Sequence, residues 1–357
     1  MHALFGVIFH FIGGFASGSF YMPYSKVKGW SWESFWIIGG LFSWLIVPPL
    51  AAYLTIPDFA DIISNSSSTI LGTTFLMGTL WGIGGLMYGL GVRYLGMSLG
   101  NSVILGFCSA FGALIPSIYY NFNPTPGKVT FTDMLGSSGG QLVLLGVVVC
   151  VTGIAICGKA GMMKEKEISD EKKKESVKEF NLTKGLIIAT ISGILSAFFN
   201  FGIEAGHSMG AAANEAWKAT HSGEGEFLYR NNVIFVVILW GGLTTNLIWC
   251  MILNFKNRSF GDYANKKTPL AKNYLFCALA GTTWFLQFFF YGMGESKLGN
   301  GASSWILHMA FIILVANTWG IYLKEWNGVT QKTKATITAG IVIIFLSVVL
   351  VGYGNSI

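Results

Sequence analysis

The chain has 357 residues, of which 52% are apolar and only 11% are charged, and its mean hydropathy is +0.56. A soluble domain carries about 25% charged residues, so this composition excludes a water-soluble protein and favours an integral membrane protein. The net charge of +6 comes mostly from lysines in a few loops, so it requires no nucleic-acid partner.

Hydrophobic runs close to the ~20 residues that a helix needs to cross a bilayer occur ten times along the chain. The longest polar interval, 159–184, is too short and too charged to fold as a separate soluble domain. The first run lacks a basic segment before it and a small-residue cleavage site, so we predict a retained span rather than a signal peptide. The ten predicted spans are residues 3–23, 34–54, 71–92, 98–119, 139–158, 183–203, 231–254, 272–293, 302–323 and 335–353.

One block of sequence occurs twice, at 78–102 and again at 281–305. Fainter matches pair 6–22 with 185–201 and 39–46 with 241–248, which indicates an internal duplication. A shift of 203 residues between the two blocks aligns eight identical residues, which in the first copy are Gly78, Thr79, Trp81, Tyr88, Gly89, Gly91, Leu95 and Gly96.

Ten spans in two related halves give five spans per half. Because five is odd, the second half enters the membrane from the opposite side, an arrangement typical of transporters with a binding site between the halves. We therefore predict an all-α integral membrane fold of ten transmembrane helices in two inverted five-helix repeats. The predicted organisation is a first repeat at 1–158, a charged cytoplasmic linker at 159–184 and a second repeat at 185–357.

The basic residues are distributed unevenly between the two sets of loops. Nineteen Lys and Arg residues lie in loops that follow odd-numbered spans, and four lie in the others. Cytoplasmic loops are enriched in Lys and Arg, so the bias predicts that both termini lie outside and the 159–184 linker lies in the cytoplasm.

Two ionisable residues stand out near the N-terminus. His10 lies in the middle of the first apolar run. A polar ring at membrane depth faces protein or a cavity, and imidazole titrates near physiological pH, so His10 is a candidate for proton coupling or substrate binding. The alternative is a structural histidine. Glu33 opens the second span and suits a helix N-terminus, which weakens its case as a proton carrier.

Both copies of the repeated block carry aromatic side chains at helical spacing. Trp81 and Tyr88 share one helix face, and Trp284, Gln287 and Tyr291 share another. Such a stripe is often only a packing surface, but this one occurs in both halves, beside glycines that thin the helix. Aromatic faces with amides and hydroxyls suit a sugar, whose CH-rich faces stack and whose hydroxyls form hydrogen bonds. We therefore predict that these residues line a substrate cavity.

The ninth span places Trp305 and His308 on one helix face. We add Trp305 to the predicted substrate wall, and His308 to the proton-coupling candidates, because an intramembrane histidine is a functional candidate by default. For coupling, His308 ranks first, His10 second and Glu33 third. The two histidines lie at mid-depth by residue count, and a neutral imidazole can accept a sugar hydroxyl whereas its protonated form only donates.

Several longer motifs resemble one known family. The similarity to the bacterial L-rhamnose–proton symporters runs from His10 to the last span. That family belongs to the drug/metabolite transporter superfamily, whose fold of two inverted five-helix repeats agrees with the span count. The motifs are FYMPYSKVKGWSWE (20–33), LWGIGGLMYGLGVRYLGMSLG (80–100), WFLQFFFYGMG (284–294), SWILHM (304–309) and LKEWN (323–327).

The resemblance implies a secondary active transporter of the bacterial inner membrane that imports a deoxy sugar, L-rhamnose, together with protons. It implies a monomer with no cofactor, whose partners are the sugar, H+ and membrane lipid. The chain departs from the family at Gly85, Met87, Glu204 and 295–303. These departures leave open which sugar is carried. Whether H+ or Na+ drives transport also stays open.

Missing motifs narrow the function further. The five cysteines lie in or at the ends of apolar runs without a C-x-x-C, so we expect neither a metal site nor a disulfide framework. The sequence has no Walker A motif for ATP hydrolysis. A membrane enzyme would need His, Asp or Glu clustered at one membrane face, and these residues are scattered, so we predict no enzyme. The remaining alternatives to a symporter are a passive sugar facilitator and a drug/metabolite-type exporter.

Overall fold

The chain folds into helices joined by short turns. In this computed structural model the described residues are 2–122, 124, 129–168, 180–221, 225–298, 301–354 and 357, and they contain no β-strand. Part of the charged linker, at 169–179, lies outside the described residues, as does position 356. The prediction of an all-α fold is confirmed.

The apolar runs form helices because a backbone surrounded by lipid must satisfy its hydrogen bonds within its own segment. In chain order the α-helices are α1 (His2–Ser19), α2 (Tyr21–Tyr24), α3 (Trp32–Gly40), α4 (Val47–Thr55), α5 (Phe59–Asn65), α6 (Ser68–Leu95), α7 (Met97–Phe122), α8 (Phe131–Gly136), α9 (Ser138–Glu167), α10 (Leu182–Ser196), α11 (Phe198–Ala205), α12 (His207–Lys218), α13 (Asn232–Asn257), α14 (Leu270–Leu298), α15 (Gly301–Tyr322) and α16 (Gln331–Gly354). A π-helix, Leu41–Ile46, joins α3 to α4, and a 3-10 helix, Ser259–Ala264, follows α13.

Nine helical segments of the described chain are long and apolar enough to cross a membrane. They correspond to the first eight predicted spans and to the tenth. The ninth predicted span, 302–323, coincides with α15, but its apolar part, Leu307–Tyr322, is shorter than the other nine. The count of ten therefore stays a prediction.

The second span contains a local feature that the sequence analysis did not predict. Its π-helix ends at Ile46, two residues before the Pro48–Pro49 pair. Proline has no N–H to donate to the preceding turn, and a wider π-turn accommodates the hydrogen bonds that are lost.

The chain divides into two compact units. Unit 1 comprises Met1–Ile83 and Phe198–Gly299, and unit 2 comprises Gly84–Ala197 and Asn300–Ile357. Each unit therefore combines segments from both sequence halves, and α6 contributes to both units.

In unit 1, the closest helix crossings are at glycines that the repeat relates. A Cβ on Gly78 of α6 would overlap the carbonyl oxygen of Ile238 in α13, where Gly241 lies equally close to α6. A Cβ on Gly281 of α14 would overlap the carbonyl oxygen of Gly39 in α3. The repeat pairs Gly281 with Gly78. It also pairs Gly39 with Gly241, so the two crossings occupy equivalent positions in the two sequence halves.

In unit 2, α9 and α16 pack closely at glycines. A Cβ on Gly139 would lie 2.5 Å from the carbonyl oxygen of Gly354, and one on Gly153 would lie 3.1 Å from that of Gly340. Small residues at such contacts allow helices to approach closely in lipid, where van der Waals packing drives their association.

The turn after α15 buries part of the LKEWN motif. Lys324 has a left-handed backbone, with φ of 58°, at the turn that carries Glu325 and Trp326 into the protein. The Glu325 carboxylate accepts a hydrogen bond from the Ser98 N–H at 3.0 Å. The buried Lys164 ammonium donates to the Glu325 carbonyl at 2.6 Å and lies 4.8 Å from the Trp326 ring centroid. These contacts connect α7, α9 and the turn after α15, so the motif has a structural role here.

Candidate functional site

Unit 1 contains four neighbouring tryptophans, Trp36, Trp44, Trp81 and Trp284, which we call the tryptophan cluster. The ring centroids of Trp81 and Trp284 are 5.5 Å apart. Trp44 lies 5.8 Å from Trp284 and 6.2 Å from Trp36. These separations are within the range of favourable aromatic pairs. The structure thus brings together Trp81 and Trp284, the two tryptophans that the repeat relates.

Phenylalanine rings continue the cluster on one side. Phe288 lies 5.0 Å from Trp284 and stacks on Phe199 at 4.1 Å, and Phe199 lies 5.1 Å from Trp81. Phe199 is fully buried, whereas Trp284 is half-buried. The cluster therefore combines a packed apolar side with a tryptophan that keeps part of its surface accessible.

An amide that the sequence analysis missed gives the cluster a polar component. The indole N–H of Trp36 donates to the Asn246 side-chain oxygen at 2.9 Å. The Asn246 amide donates to the carbonyl oxygens of Gly82 at 3.2 Å and Gly242 at 2.9 Å. Asn246 is 1% exposed, so these bonds satisfy an amide that would otherwise be buried at a high cost in free energy. They also fix the orientation of the Trp36 ring.

Gln287 and Tyr291 lie on the same face of α14 as Trp284, as the sequence predicts. Gln287 is 6% exposed and Tyr291 is 1% exposed. The Tyr291 ring is 5.5 Å from that of His10 and 6.4 Å from that of Phe235. One stretch of α14 therefore carries an amide, a phenol and an indole, groups that can bind a sugar, and it lies next to the first span.

His10 is fully buried where α1 crosses α14. A Cβ on Gly294 would lie 2.6 Å from His10 Nε2, so only a glycine at this position leaves room for the imidazole. In unit 2 the repeat counterpart of this contact is between Ala189 and Gly91, where a Cβ on Gly91 would lie 3.7 Å from the Ala189 Cβ. The position that is alanine in one half is a buried histidine in the other, which favours a specific role for the imidazole over simple packing.

A neighbouring contact confirms that these two crossings correspond. A Cβ on Gly6 of α1 would lie 2.7 Å from Leu298 Cγ in unit 1. In unit 2 a Cβ on Gly185 of α10 would lie 2.5 Å from Leu95 Cγ. The repeat pairs Gly6 with Gly185 and Leu298 with Leu95, so α1 with α14 and α10 with α6 make the same contact.

Unit 2 contains the three other predicted site residues. Tyr88 donates a hydrogen bond to the side-chain oxygen of Asn101, which is buried. Trp305 is 4% exposed, and its indole nitrogen would lie 3.2 Å from a Cβ on Gly112. His308, on the same helix, is 1% exposed. The predicted residues thus fall into two sets, one in each unit.

Glu33 is buried at the start of α3, where it contacts the segment that follows α13. Its carboxylate accepts hydrogen bonds from the Ser259 hydroxyl at 2.6 Å and from the Asn257 amide at 3.0 Å. These two donors satisfy the buried carboxylate and connect the start of the second span to the end of the seventh. The sequence analysis ranked Glu33 third among the proton-coupling candidates, and this geometry favours a structural role for it instead.

The chemistry of the described residues suits binding and proton transfer. They contain no group of three or more His, Cys, Asp or Glu side chains that could hold a metal ion. All five cysteines are buried and free. Indole and phenyl faces lie beside buried amides, and their role in sugar binding stays a prediction.

The sequence matches the family described as L-rhamnose-proton symport protein (RhaT) over residues 2–357. The chain belongs to the L-rhamnose–proton symporter family. Its relatives include the L-rhamnose-proton symporters of Yersinia pestis (strain Pestoides F) and Yersinia pseudotuberculosis serotype O:1b (strain IP 31758). Each is 39% identical over 356 residues, which cover 98% of both chains. The family resemblance that the motifs predict is confirmed.

Members of the L-rhamnose–proton symporter family are transporters, so the prediction that the chain is not an enzyme is confirmed. The multi-pass membrane character that composition predicts is likewise consistent with this family. The tryptophan cluster, the two buried histidines and the buried amides are therefore features of a membrane transporter, and each can be assessed for a role in transport.

Three polar residues of this symporter family member were missed by the sequence analysis. Asn246 orients Trp36, and Asn317 of α15 donates to Ser102 at 3.0 Å and accepts from Ser98 at 2.5 Å. The rule that identified Gln287, that an amide inside a span needs a polar partner, would have found both. The third residue, Glu295, lies near the end of α14 and accepts a hydrogen bond from Asn231.

Proposed function

We propose that the chain imports L-rhamnose together with protons across the bacterial inner membrane. The observation that carries this proposal is family membership over residues 2–357, together with relatives at 39% identity that are named L-rhamnose-proton symporters. Buried histidines beside aromatic residues and amides give the chain groups that suit both ligands.

The proposed architecture is ten transmembrane helices in two inverted repeats, as in the drug/metabolite transporter superfamily, with the halves 1–158 and 185–357 on either side of the 159–184 linker. Two sets of equivalent contacts support it. The close helix crossing of Gly78 with Ile238 has its counterpart in the crossing of Gly281 with Gly39. The contact of Gly6 with Leu298 has its counterpart in the contact of Gly185 with Leu95. An inverted duplication predicts paired contacts of this kind.

The sugar-binding residues of the proposed carrier come from both sequence halves. Trp81, Trp284, Gln287 and Tyr291 lie in unit 1, and Trp305 and Tyr88 lie in unit 2. The half-buried Trp284 provides an aromatic face against which a sugar ring can stack, and Gln287 supplies an amide for sugar hydroxyls. The proposed proton-coupling residues are His308 and His10, with Glu33 as the third candidate.

Replacing Gln287 with alanine tests the sugar site. We expect L-rhamnose binding to weaken by about 1–3 kcal/mol, because the sugar hydroxyl would lose its partner inside a desolvated site. This corresponds to a roughly 5- to 150-fold higher Kd, measured by counterflow or by calorimetry on purified protein. Gln331→Ala, at an exposed position, is the matched control. An unchanged Kd in folded Gln287→Ala would remove this residue from the site.

The orientation proposal is that both termini face the periplasm and the 159–184 linker faces the cytoplasm, because of the charge bias of the loops. Single cysteines introduced at Lys172 and at Ser356 test this orientation with a membrane-impermeant thiol reagent. All five native cysteines are buried, so background labelling is low. We expect position 356, but not position 172, to react in intact spheroplasts. Labelling of position 172 from outside would reverse the orientation.

Proton movement tests the function itself. We expect L-rhamnose added to lightly buffered, de-energised cells to make the medium more alkaline, because each imported sugar carries a proton inward. Alkalinisation should be absent without the chain and in the presence of a protonophore. Sugar uptake without a pH change would favour the passive facilitator. Dependence of uptake on external Na+ would show that Na+ is the coupling ion.

A further inference from the structure

We infer that Glu295 is the carboxylate that takes up the transported proton from the periplasmic side, an inference that rests on the proposed proton symport. Glu295 lies within the membrane-spanning segment Leu270–Leu298 of α14. With the cytoplasmic loop before α14, this end of the helix faces the periplasm. Glu295 is partly buried in the last turn of this segment, and an ionisable residue inside a span is a functional candidate by default.

The hydrogen-bond partner of Glu295 suits a carboxyl group that changes its protonation state. The Asn231 amide nitrogen donates to the Glu295 carboxylate at 2.5 Å. An amide can donate to an ionised carboxylate and can also accept from a protonated one, so protonation need not break the pair. An arginine partner can only donate, and it would oppose protonation.

The charged groups around Glu295 are also arranged for proton exchange. The Arg230 guanidinium, which lies close enough to act on Glu295, is held by Glu226 at 2.7 Å. The other ionisable neighbours are Glu204, which is exposed, and the Tyr291 phenol one helical turn away. Glu295 therefore has a second carboxylate and a phenol nearby, while its nearest arginine is paired with a surface acid.

A cleft gives water access to this end of α14. It has a volume of about 380 Å³ and is lined by the 225–229 segment, Trp217, Ser296 and Lys297. Ser296 and Lys297 directly follow Glu295 in the chain. The cleft therefore opens beside the helix turn that carries the carboxylate, although Glu295 itself does not line it.

On the inner side, the same helix turn contacts His10. Gly294, next to Glu295, lies under the His10 ring, and the Tyr291 ring is 5.5 Å from it. In the proposed path a proton passes from water to the Glu295 carboxylate. The protonated carboxyl then passes the proton inward toward the buried His10 imidazole, and Glu295 returns to its ionised state.

The test is Glu295→Gln in proteoliposomes, compared with the unmodified chain and with Glu215→Gln, a matched exposed control on α12. For an imposed pH gradient of one unit, acid outside, we expect accumulation of L-rhamnose to fall from about tenfold to about onefold in Glu295→Gln. Counterflow exchange at equal pH should stay within about twofold of the unmodified rate, because exchange needs no net proton movement. Glu295→Asp should recover part of the accumulation.

The outcomes separate this inference from the proposed function. If the unmodified chain moves L-rhamnose without protons, proton symport itself is wrong. If the unmodified chain accumulates the sugar and Glu295→Gln accumulates it equally well, the proton enters elsewhere and Glu295 is excluded. If Glu295→Gln elutes as a monodisperse protein but loses exchange as well, or if Glu295→Asp recovers nothing, a proton-uptake role is overturned in favour of a structural or sugar-binding one.

Discussion

His308→Gln should lose the ability to concentrate L-rhamnose and should keep the ability to exchange it. Glutamine preserves much of the size and hydrogen-bonding capacity of the imidazole but cannot bind a proton at physiological pH. His308 is 1% exposed on α15, where Trp305 is also buried. We propose that Trp305 contacts the sugar, so that protonation of His308 and sugar occupancy affect each other. For a pH gradient of one unit, accumulation should fall from about tenfold to about onefold. The measurement is gradient-driven uptake of labelled L-rhamnose beside counterflow in the same proteoliposomes.

The same loss is expected for His10→Gln, since His10 is buried beside Tyr291 in unit 1. His221→Gln is the matched control, because His221 is exposed and packs on Trp217 outside the predicted spans. Retention of accumulation in both His308→Gln and His10→Gln would show that neither imidazole couples the proton. Glu33 would then be the leading candidate, and the proposed path from Glu295 to His10 would be excluded.

Gly78→Leu should prevent the chain from folding into a stable carrier. A Cβ at Gly78 would overlap the carbonyl oxygen of Ile238, and backbone atoms of two packed helices cannot move aside as a flexible side chain can. The cost should therefore exceed the ~1–3 kcal/mol of ordinary overpacking in a core. We expect Gly78→Leu to give aggregate rather than a monodisperse peak in size-exclusion chromatography in detergent.

The same helix provides the control for this substitution. A Cβ at Gly72 has open space around it, so Gly72→Leu should elute like the unmodified protein. Gly281→Leu tests the repeat, because Gly281 makes the equivalent crossing against Gly39 and should fail as Gly78→Leu does. A folded Gly78→Leu would show that α6 and α13 do not approach as closely as described. A large difference between Gly78→Leu and Gly281→Leu would weaken the argument for equivalent halves.

Much of the fold could be predicted from hydropathy and from the repeat. Lipid forces each span to satisfy its own backbone hydrogen bonds, so a run of about 20 apolar residues is a reliable sign of a helix. The assignment of segments to two compact units could not be predicted, because it depends on which helices pack together across the two sequence halves. The π-helix before Pro48 was also missed, although the proline pair gave a signal for it.

The candidate site was only partly predictable for a similar reason. The repeat pairs Trp81 with Trp284, so the sequence analysis placed both residues in one predicted wall, and the two rings are in contact. The hydrogen bond from Trp36 to Asn246 joins two distant segments and leaves no local pattern in the sequence. The partners of Glu33 lie at and just after the end of α13, far away in the chain, so the sequence alone placed this residue only at a helix start.

Uptake of labelled L-rhamnose into proteoliposomes that contain the purified chain alone tests proton symport most directly. With the membrane potential clamped at zero, a pH gradient of one unit supplies about 1.4 kcal/mol per proton, which is enough for about tenfold accumulation at one proton per sugar. We predict that the internal L-rhamnose concentration rises to about ten times the external one when the outside is acidic, and that a protonophore returns the ratio to about one. Equal concentrations inside and outside despite an intact pH gradient would contradict proton symport.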